Sequence, residues 1–239
     1  MDFSRRSYQK ELLDRDDIPF ADIERNMQEL DFINTYLGGH AITIAGIEKI
    51  MKGAPAAKTD WLICEIGCGG GDNLKAIHRW CAGRGITPRF IGIDINPQCI
   101  EVAVHKLRNI PCTLIASDYK LARLQHKPDI VFSSLFCHHF TGEELTGMLQ
   151  WMQLWAGTGF FINDLHRHPL AYYSIKGLTA LFSSSYLVKN DAPLSVHRGF
   201  KRAEWKQLLH AAGIRLYKIS WRWAFRYLIT VPANQYGTE

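Results

Sequence analysis

An α/β fold with a mostly parallel sheet is predicted by three features of this sequence. The first is the stretch WLICEIGCGGGD at residues 61–72. Residues 61–66 form an apolar run with one acid, Glu65, which reads as a buried parallel strand. Gly67, Gly69, Gly70 and Gly71 follow at once, and Asp72 opens the helix-like segment NLKAIHRWCAG. A strand, a glycine-rich turn and a helix begin a Rossmann-like βαβ unit, in which the glycines admit φ > 0 and close approach of a ligand. The second feature is recurrence. Further strand-like runs lie at 89–94, 111–116, 129–135 and 158–164. The third is size. A chain of 239 residues that is 47% hydrophobic can bury one full core, or a core plus a lid.

Two ligand types compete for the glycine turn. The dinucleotide fingerprint G-x-G-x-x-G fits Gly67 and Gly69, but its third position is Asp72, whose carboxylate would repel a pyrophosphate. The pattern E-x-G-x-G-x-G fits throughout, as Glu65, Gly67, Gly69 and Gly71. Here the chain resembles the class I S-adenosylmethionine-dependent methyltransferases over roughly residues 61–231. Their cofactor has no phosphate and carries a positive sulfonium and ammonium, which suits an acid-flanked loop. The resemblance implies a Rossmann-like sheet of seven strands with helices on both faces and the last strand antiparallel. It also implies S-adenosyl-L-methionine as cofactor.

Residues 1–56 precede the first strand. Ile23, Met27, Leu30, Ile33 and Leu37 keep near-helical spacing, as do Ile42, Ala45, Ile47 and Ile50 beyond the Gly38–Gly39 break. This segment resembles the helical N-terminal cap of small-molecule methyltransferases. A plain packing arm is the alternative.

Asp94 ends the second strand, 23 positions after Gly71, near the spacing at which an acid meets a ribose diol. Asn96 and Pro97 fit the cap and first turn of the next helix. The third strand leads into Ser117, Asp118 and Tyr119. The resemblance implies that Asp118 receives the adenine amino group and that Tyr119 packs on the ring. It implies Ile95 and Ser134 as further parts of the cofactor wall.

The fourth strand is followed by Phe136, Cys137, His138, His139 and Phe140. Thr141 and Glu144 form a capping box, with Phe140 and Leu145 as its hydrophobic staple, so a helix starts just after the two histidines. Both histidines therefore lie at the carboxyl end of a central strand, where open α/β sheets bind ligands. Adjacent side chains seldom face the same way, so one of the pair is expected to point into the site. The fifth strand ends in Asn163, Asp164, Leu165, His166, Arg167 and His168, which adds His, Asp and Arg groups near the same crevice.

Residues 171–182 read as an apolar helix, and 183–200, with Pro193, as irregular. This insertion before the sixth strand is a candidate substrate lid, and its Tyr, Leu and Phe content suits an apolar or aromatic substrate. A helix at 203–212 ends at Gly213, and two closing strands follow, joined tightly near Ala224. The domain division expected is a single methyltransferase domain over 1–239. Within it lie a cap at 1–56, a cofactor-binding core at 57–165, a lid at 166–200, and a closing helix and strands at 201–239.

Composition narrows the rest. Six cysteines without a C-x-x-C pair read as reduced thiols rather than a disulfide framework or a metal site. The polar N-terminus and the lack of a long apolar run predict a soluble cytoplasmic protein. Up to Asp31 there are nine acids and five Lys or Arg, while after Asp164 there are eleven Lys or Arg and three acids. The basic residues are scattered among apolar ones, so an ordinary solvated face is the first reading, and packing of the acidic N-terminal segment near the basic C-terminal part is another. A basic face for anionic lipid is a third, so peripheral membrane contact stays open. No nucleic-acid module is visible.

The stretches HHF, NDLHR and PLSVHRGF also resemble bacterial small-molecule methyltransferases of polyketide and quinone pathways. The expected reaction is in-line transfer of the sulfonium methyl, which the protein promotes mainly by aligning the reactants. A phenol has a pKa near 10 and needs a base. His139 or His166 could remove the proton, with His138 the other candidate and Asp164 orienting an imidazole or accepting the proton itself. O-methylation of a small phenol or aromatic polyketide is the first expectation. Quinol C-methylation is the second, and a non-catalytic cofactor-binding module is the third.

Overall fold

The computed structural model describes residues 1–15, 17–55 and 57–233. Among the described residues there are seven strands: β1 (Asp60–Ile66), β2 (Thr87–Asp94), β3 (Cys112–Ala116), β4 (Ile130–Ser134), β5 (Gly159–Leu165), β6 (Lys218–Arg222) and β7 (Arg226–Pro232). They form one sheet in the order β3-β2-β1-β4-β5-β7-β6. The first five are parallel, and β7 runs antiparallel between β5 and β6. The expected topology is therefore present. The helices are α1 (Phe20–Tyr36), α2 (Gly39–Met51), α3 (Asp72–Ala82), α4 (Pro97–Leu107), α5 (Gly142–Trp155), α6 (Pro169–Phe182), α7 (Tyr186–Arg198) and α8 (Arg202–Ala211).

The period-two alternation of the strands builds two cores. Leu62, Cys64 and Ile66 face α5 and α8, meeting Leu145, Met148, Trp205 and Leu209. Trp61 and Ile63 face α2, α3 and α4, meeting Ile47, Leu74, Ile77 and Ala103. α4 starts as its sequence predicts, with Asn96 Oδ1 accepting from the Gln98 amide at 2.9 Å and Pro97 in the first turn. α5 starts on the Thr141–Glu144 capping box. At the hairpin between β6 and β7, Ala224 and Phe225 take φ of 56° and 54°. Two left-handed residues in succession suit the tight turn, though glycine or asparagine usually supplies them. The described cysteines are all free thiols. Among the described residues no helix is long and apolar enough to cross a membrane.

The sequence expectation fails at 183–200, which is not irregular. Most of it is α7, with Pro193 inside the helix. Ser185 Oγ caps it by accepting from the Val188 amide at 3.3 Å. Leu187, Val188, Leu194 and Val196 are buried. Proline costs a helix interior about 3 kcal/mol, and the burial of these side chains offsets it. The N-terminal arm packs against α7 and the loop after β5. The Leu12 and Leu13 amides donate to Asp191 of α7 at 2.8 and 3.0 Å, and buried Arg167 donates to the Phe3 and Ser4 carbonyls.

β1 lies between β2 and β4, so the strand order reverses there. In an open α/β sheet that reversal places a crevice at the carboxyl ends of the strands. The glycine turn follows β1 and the two histidines follow β4, so both border it.

Candidate active site

A cavity of about 1590 Å³ occupies this crevice. It exceeds the roughly 300–1,000 Å³ usual for one small-molecule pocket, leaving room for two ligands together. One wall is the glycine turn. Gly67 has φ of 72°, and a Cβ there would lie 2.2 Å from the Phe136 ring. Glycine is thus required twice over, by backbone angle and by contact.

Asp94 lies beside the turn. Its Oδ2 accepts from the Gly69 amide at 2.8 Å and its Oδ1 from the Asn96 amide at 2.9 Å. Burial raises its pKa, and those amide donors act in the opposite direction. Each oxygen retains a lone pair for a further donor from the cavity. Ile95 is 68% exposed beside it and offers an apolar surface. Asp118 accepts from the Lys120 amide at 2.9 Å. Ser134 accepts from Asn163 Nδ2 at 3.1 Å.

Tyr119 borders the cavity but is buried, with its ring edge-on to Phe140 and Trp151. It packs into the wall instead of standing open as an aromatic platform. Glu65 and Gly71 are not lining residues. Burial holds the Glu65 carboxyl well above its ordinary pKa. Its Oε1 accepts from Asn73 Nδ2 at 2.8 Å, and Asn73 is the group that faces the cavity. Asp72 pairs with Lys106, so its repulsion of a phosphate is weaker than the sequence implies.

The opposite wall is the loop after β4. Leu135 has φ of 54°, a strained angle for a bulky residue and the kind of strain that clusters at functional sites. A single 3-10 turn, Cys137–His139, then sets the two imidazoles side by side with ring centroids 4.6 Å apart. Contrary to expectation, both line the cavity, and both reach one carboxylate. His138 Nε2 is 3.5 Å from Glu11 Oε1, and His139 Nε2 is 3.6 Å from Glu11 Oε2. His138 Nδ1 is 2.8 Å from Asp164 Oδ1, and His139 Nδ1 is 3.3 Å from Asp14 Oδ1.

Each histidine sits between two carboxylates, but His138 is the more buried and the more closely paired. Burial by itself would lower the His138 pKa, but Asp164 and Glu11 together lift it to about 9. At neutral pH His138 is therefore an imidazolium and a poor base. His139 is 20% exposed and faces the cavity. Burial would raise the Glu11 carboxyl, yet His138 and His139 hold it down at about 2.

Two arginines fix the loop. Arg198 donates to the His138 and His139 carbonyls at 3.1 and 2.9 Å. Arg6 donates to the His138 and Phe140 carbonyls at 3.1 and 3.0 Å.

His166 does not belong to this constellation. It packs against Tyr227 and Phe225 and is not a lining residue. Asp164 is fully buried behind His138 and also lies off the cavity surface. Sequence reasoning missed Glu11 and Asp14. Their one local signal is the Glu11–Asp14 capping pair of a short turn, which says nothing about distant histidines. Glu11, His138 and His139 offer ligand-type atoms within 4.8 Å of one another, a spacing that could hold a cation. Ser195 Oγ already donates to Glu11 at 2.7 Å, and the Arg198 Nε lies 4.0 Å from the same oxygen, so positive charge is already supplied there.

Residues 63–159 match the family described as a methyltransferase domain. Over that stretch the chain is similar to a methyltransferase domain. The matched stretch runs from β1 to the start of β5 and holds the glycine turn, Asp94 and both histidines. No curated protein sequence is similar enough to count as a match.

The fold is shared with solved methyltransferases. One is the plantazolicin methyltransferase BpumL in complex with SAH, at 19% identity and TM-score 0.64, covering 90% of this chain and 89% of that one. Another is human N-acetylserotonin methyltransferase in complex with SAM, at 17% identity and TM-score 0.59, covering 90% of this chain and 56% of that one. A third is an O-methyltransferase family 2 protein from Planctomyces limnophilus in complex with apigenin, at 14% identity and TM-score 0.53, covering 75% and 52%. The chain thus spans little more than half the length of the last two.

Proposed function

We propose that the protein transfers the methyl group of S-adenosylmethionine to a hydroxyl of a small aromatic or phenolic substrate, with His139 as the base. The observation that carries this reading is the pairing of His138 and His139. One imidazole is clamped between Asp164 and Glu11, while its neighbour faces a cavity that also contains the glycine turn and Asp94.

In this reading Gly67, Gly69, Asp94, Ile95, Asp118 and Ser134 hold the cofactor, and Tyr119 backs that wall. Glu65 and Gly71 support the turn from behind. His139 takes the phenolic proton at Nε2, which at 3.6 Å from Glu11 is the less engaged of its two nitrogens, as the oxygen bonds to the methyl carbon and the sulfur–methyl bond breaks to leave S-adenosylhomocysteine. Asp14, 3.3 Å from Nδ1, stabilises the imidazolium that forms. His138, already charged, stabilises the developing phenolate. Residues 1–56 and 166–200 cover the substrate side. The neighbour bound to apigenin, a polyphenol, and the neighbour named for N-acetylserotonin are consistent with an aromatic acceptor.

The test is mass spectrometry of products formed from labelled S-adenosylmethionine and a panel of phenols and quinols. O-methyl products support the proposal. C-methyl products from quinols replace it, and labelled cofactor bound without product points to a binding module. S-adenosylhomocysteine should raise the melting temperature by mass action, and NAD should not.

A further inference from the structure

The cavity does not end at the histidines. It continues as a slot between α1 and α6. On α1 the apolar lining positions are Met27, Leu30 and Ile33, with Leu37 just past its end and Asn26 and Asn34 as polar neighbours, and on α6 they are Ala171, Ile175 and Leu178, with Ser174 between them. Each set recurs at three or four residues, so each is one face of its helix.

Both ends of the slot are defined. At one end Glu29 of α1 accepts from the Ser184 and Ser185 amides beyond α6, at 3.0 and 3.1 Å, and from the Ser183 hydroxyl. At the other end stands the strained hairpin tip, where Phe225 stacks on His168 and Trp223 lies against Gly38.

The side of the slot is open. Leu170, Leu178 and Trp223 line it and are still 58%, 43% and 72% exposed. Leu181 and Phe182 extend the exposed apolar surface along α6, at 78% and 80%. Apolar surface that leads out of a polar site calls for an apolar ligand. At 1.5 Å rise per residue the lining faces run about 10–15 Å, much longer than a phenol ring.

We infer that the slot between α1 and α6 binds a hydrocarbon chain, so the acceptor is an amphipathic phenol whose ring sits at His139 and whose tail lies between the two helices. The inference rests on the phenol reading above. The hydroxyl end meets Glu11, Asp14 and His139, and the tail leaves past Ile175 and Leu178 toward solvent.

The test uses 4-alkylphenols from ethyl to decyl, kept below their aggregation limits. Calorimetry in the presence of S-adenosylhomocysteine measures binding, and labelled S-adenosylmethionine measures turnover. Affinity should rise about three- to fourfold per methylene, the value of one buried CH₂, and level off once the chain outgrows the slot. Leu178→Asp should flatten that dependence and leave ethylphenol and S-adenosylhomocysteine affinities unchanged. The residue is 43% exposed, so the variant should fold, which its melting temperature checks.

Chain-independent affinity in the wild type, or an unaltered slope in Leu178→Asp, overturns the slot. A clear chain dependence of binding with no methylation keeps the slot and sinks the O-methyltransferase reading instead.

Discussion

His138 Nδ1 lies 2.8 Å from Asp164 Oδ1 in the interior, with the two side chains 3% and 0% exposed. The Asp164 Oδ2 also accepts from the His138 amide at 3.2 Å, so one carboxylate holds both the ring and the backbone of that residue. On its other side the ring meets Glu11. The imidazole is thereby fixed in position and in charge.

Stability should decline as the pH becomes alkaline. The His138 pKa is about 9 in the folded chain against an ordinary 6.5. Folding is thus favoured in full below about pH 6.5, and the contribution is lost as pH rises through 9. Glu11 behaves in the opposite sense: its contribution is present above its ordinary carboxylate pKa and is lost as pH falls toward 2. Urea denaturation from pH 6.5 to 9.5 should show a falling midpoint for the wild type and a flatter one for His138→Gln. Equal slopes in the two proteins would count against the assignment.

Replacing the proposed base should separate the two loops. His139→Ala should lower turnover of a weakly acidic phenol about 10²–10⁴-fold. His166→Ala should keep the wild-type rate, because His166 packs on Tyr227 away from the cavity. The reverse pattern would transfer the role to the loop after β5.

Glu11 supplies a test of the N-terminal arm. Glu11→Gln removes the charge that both imidazoles share, at about 1.5–3 kcal/mol for a hydrogen bond to a charged group. Turnover should fall about 10- to 100-fold, with S-adenosylhomocysteine affinity unchanged and partial recovery in Glu11→Asp. A parallel loss of cofactor affinity would assign Glu11 to folding alone.

Asp94→Ala should weaken S-adenosylhomocysteine binding by about 1.5–3 kcal/mol. Part of that loss comes from the Gly69 amide, which would no longer be held by Asp94. Calorimetry reads the affinity, and far-UV circular dichroism checks that the sheet survives. Unchanged affinity in a folded variant would remove Asp94 from the cofactor wall.

The parts legible in the sequence are those written in short-range pattern. Residues 61–72 specify strand, turn and helix because the strand is apolar and glycine occupies positions where φ is positive. Asn96–Pro97 and Thr141–Glu144 specify helix starts because a cap is satisfied within three residues. α7 was illegible because Pro193 is a local veto, whereas the helix is sustained by contacts with α1, α6 and the N-terminal arm.

The sequence by itself determined the succession of the strands, the glycine turn after β1 and the place of two histidines after β4. Local periodicity and capping chemistry suffice for all three. Only the tertiary structure decided that Glu11 stands between those histidines, that Asp164 charges one of them, and that His166 turns away. Each of these depends on a contact between residues far apart in the chain, and neither spacing nor propensity carries information about which distant carboxylate an imidazole meets.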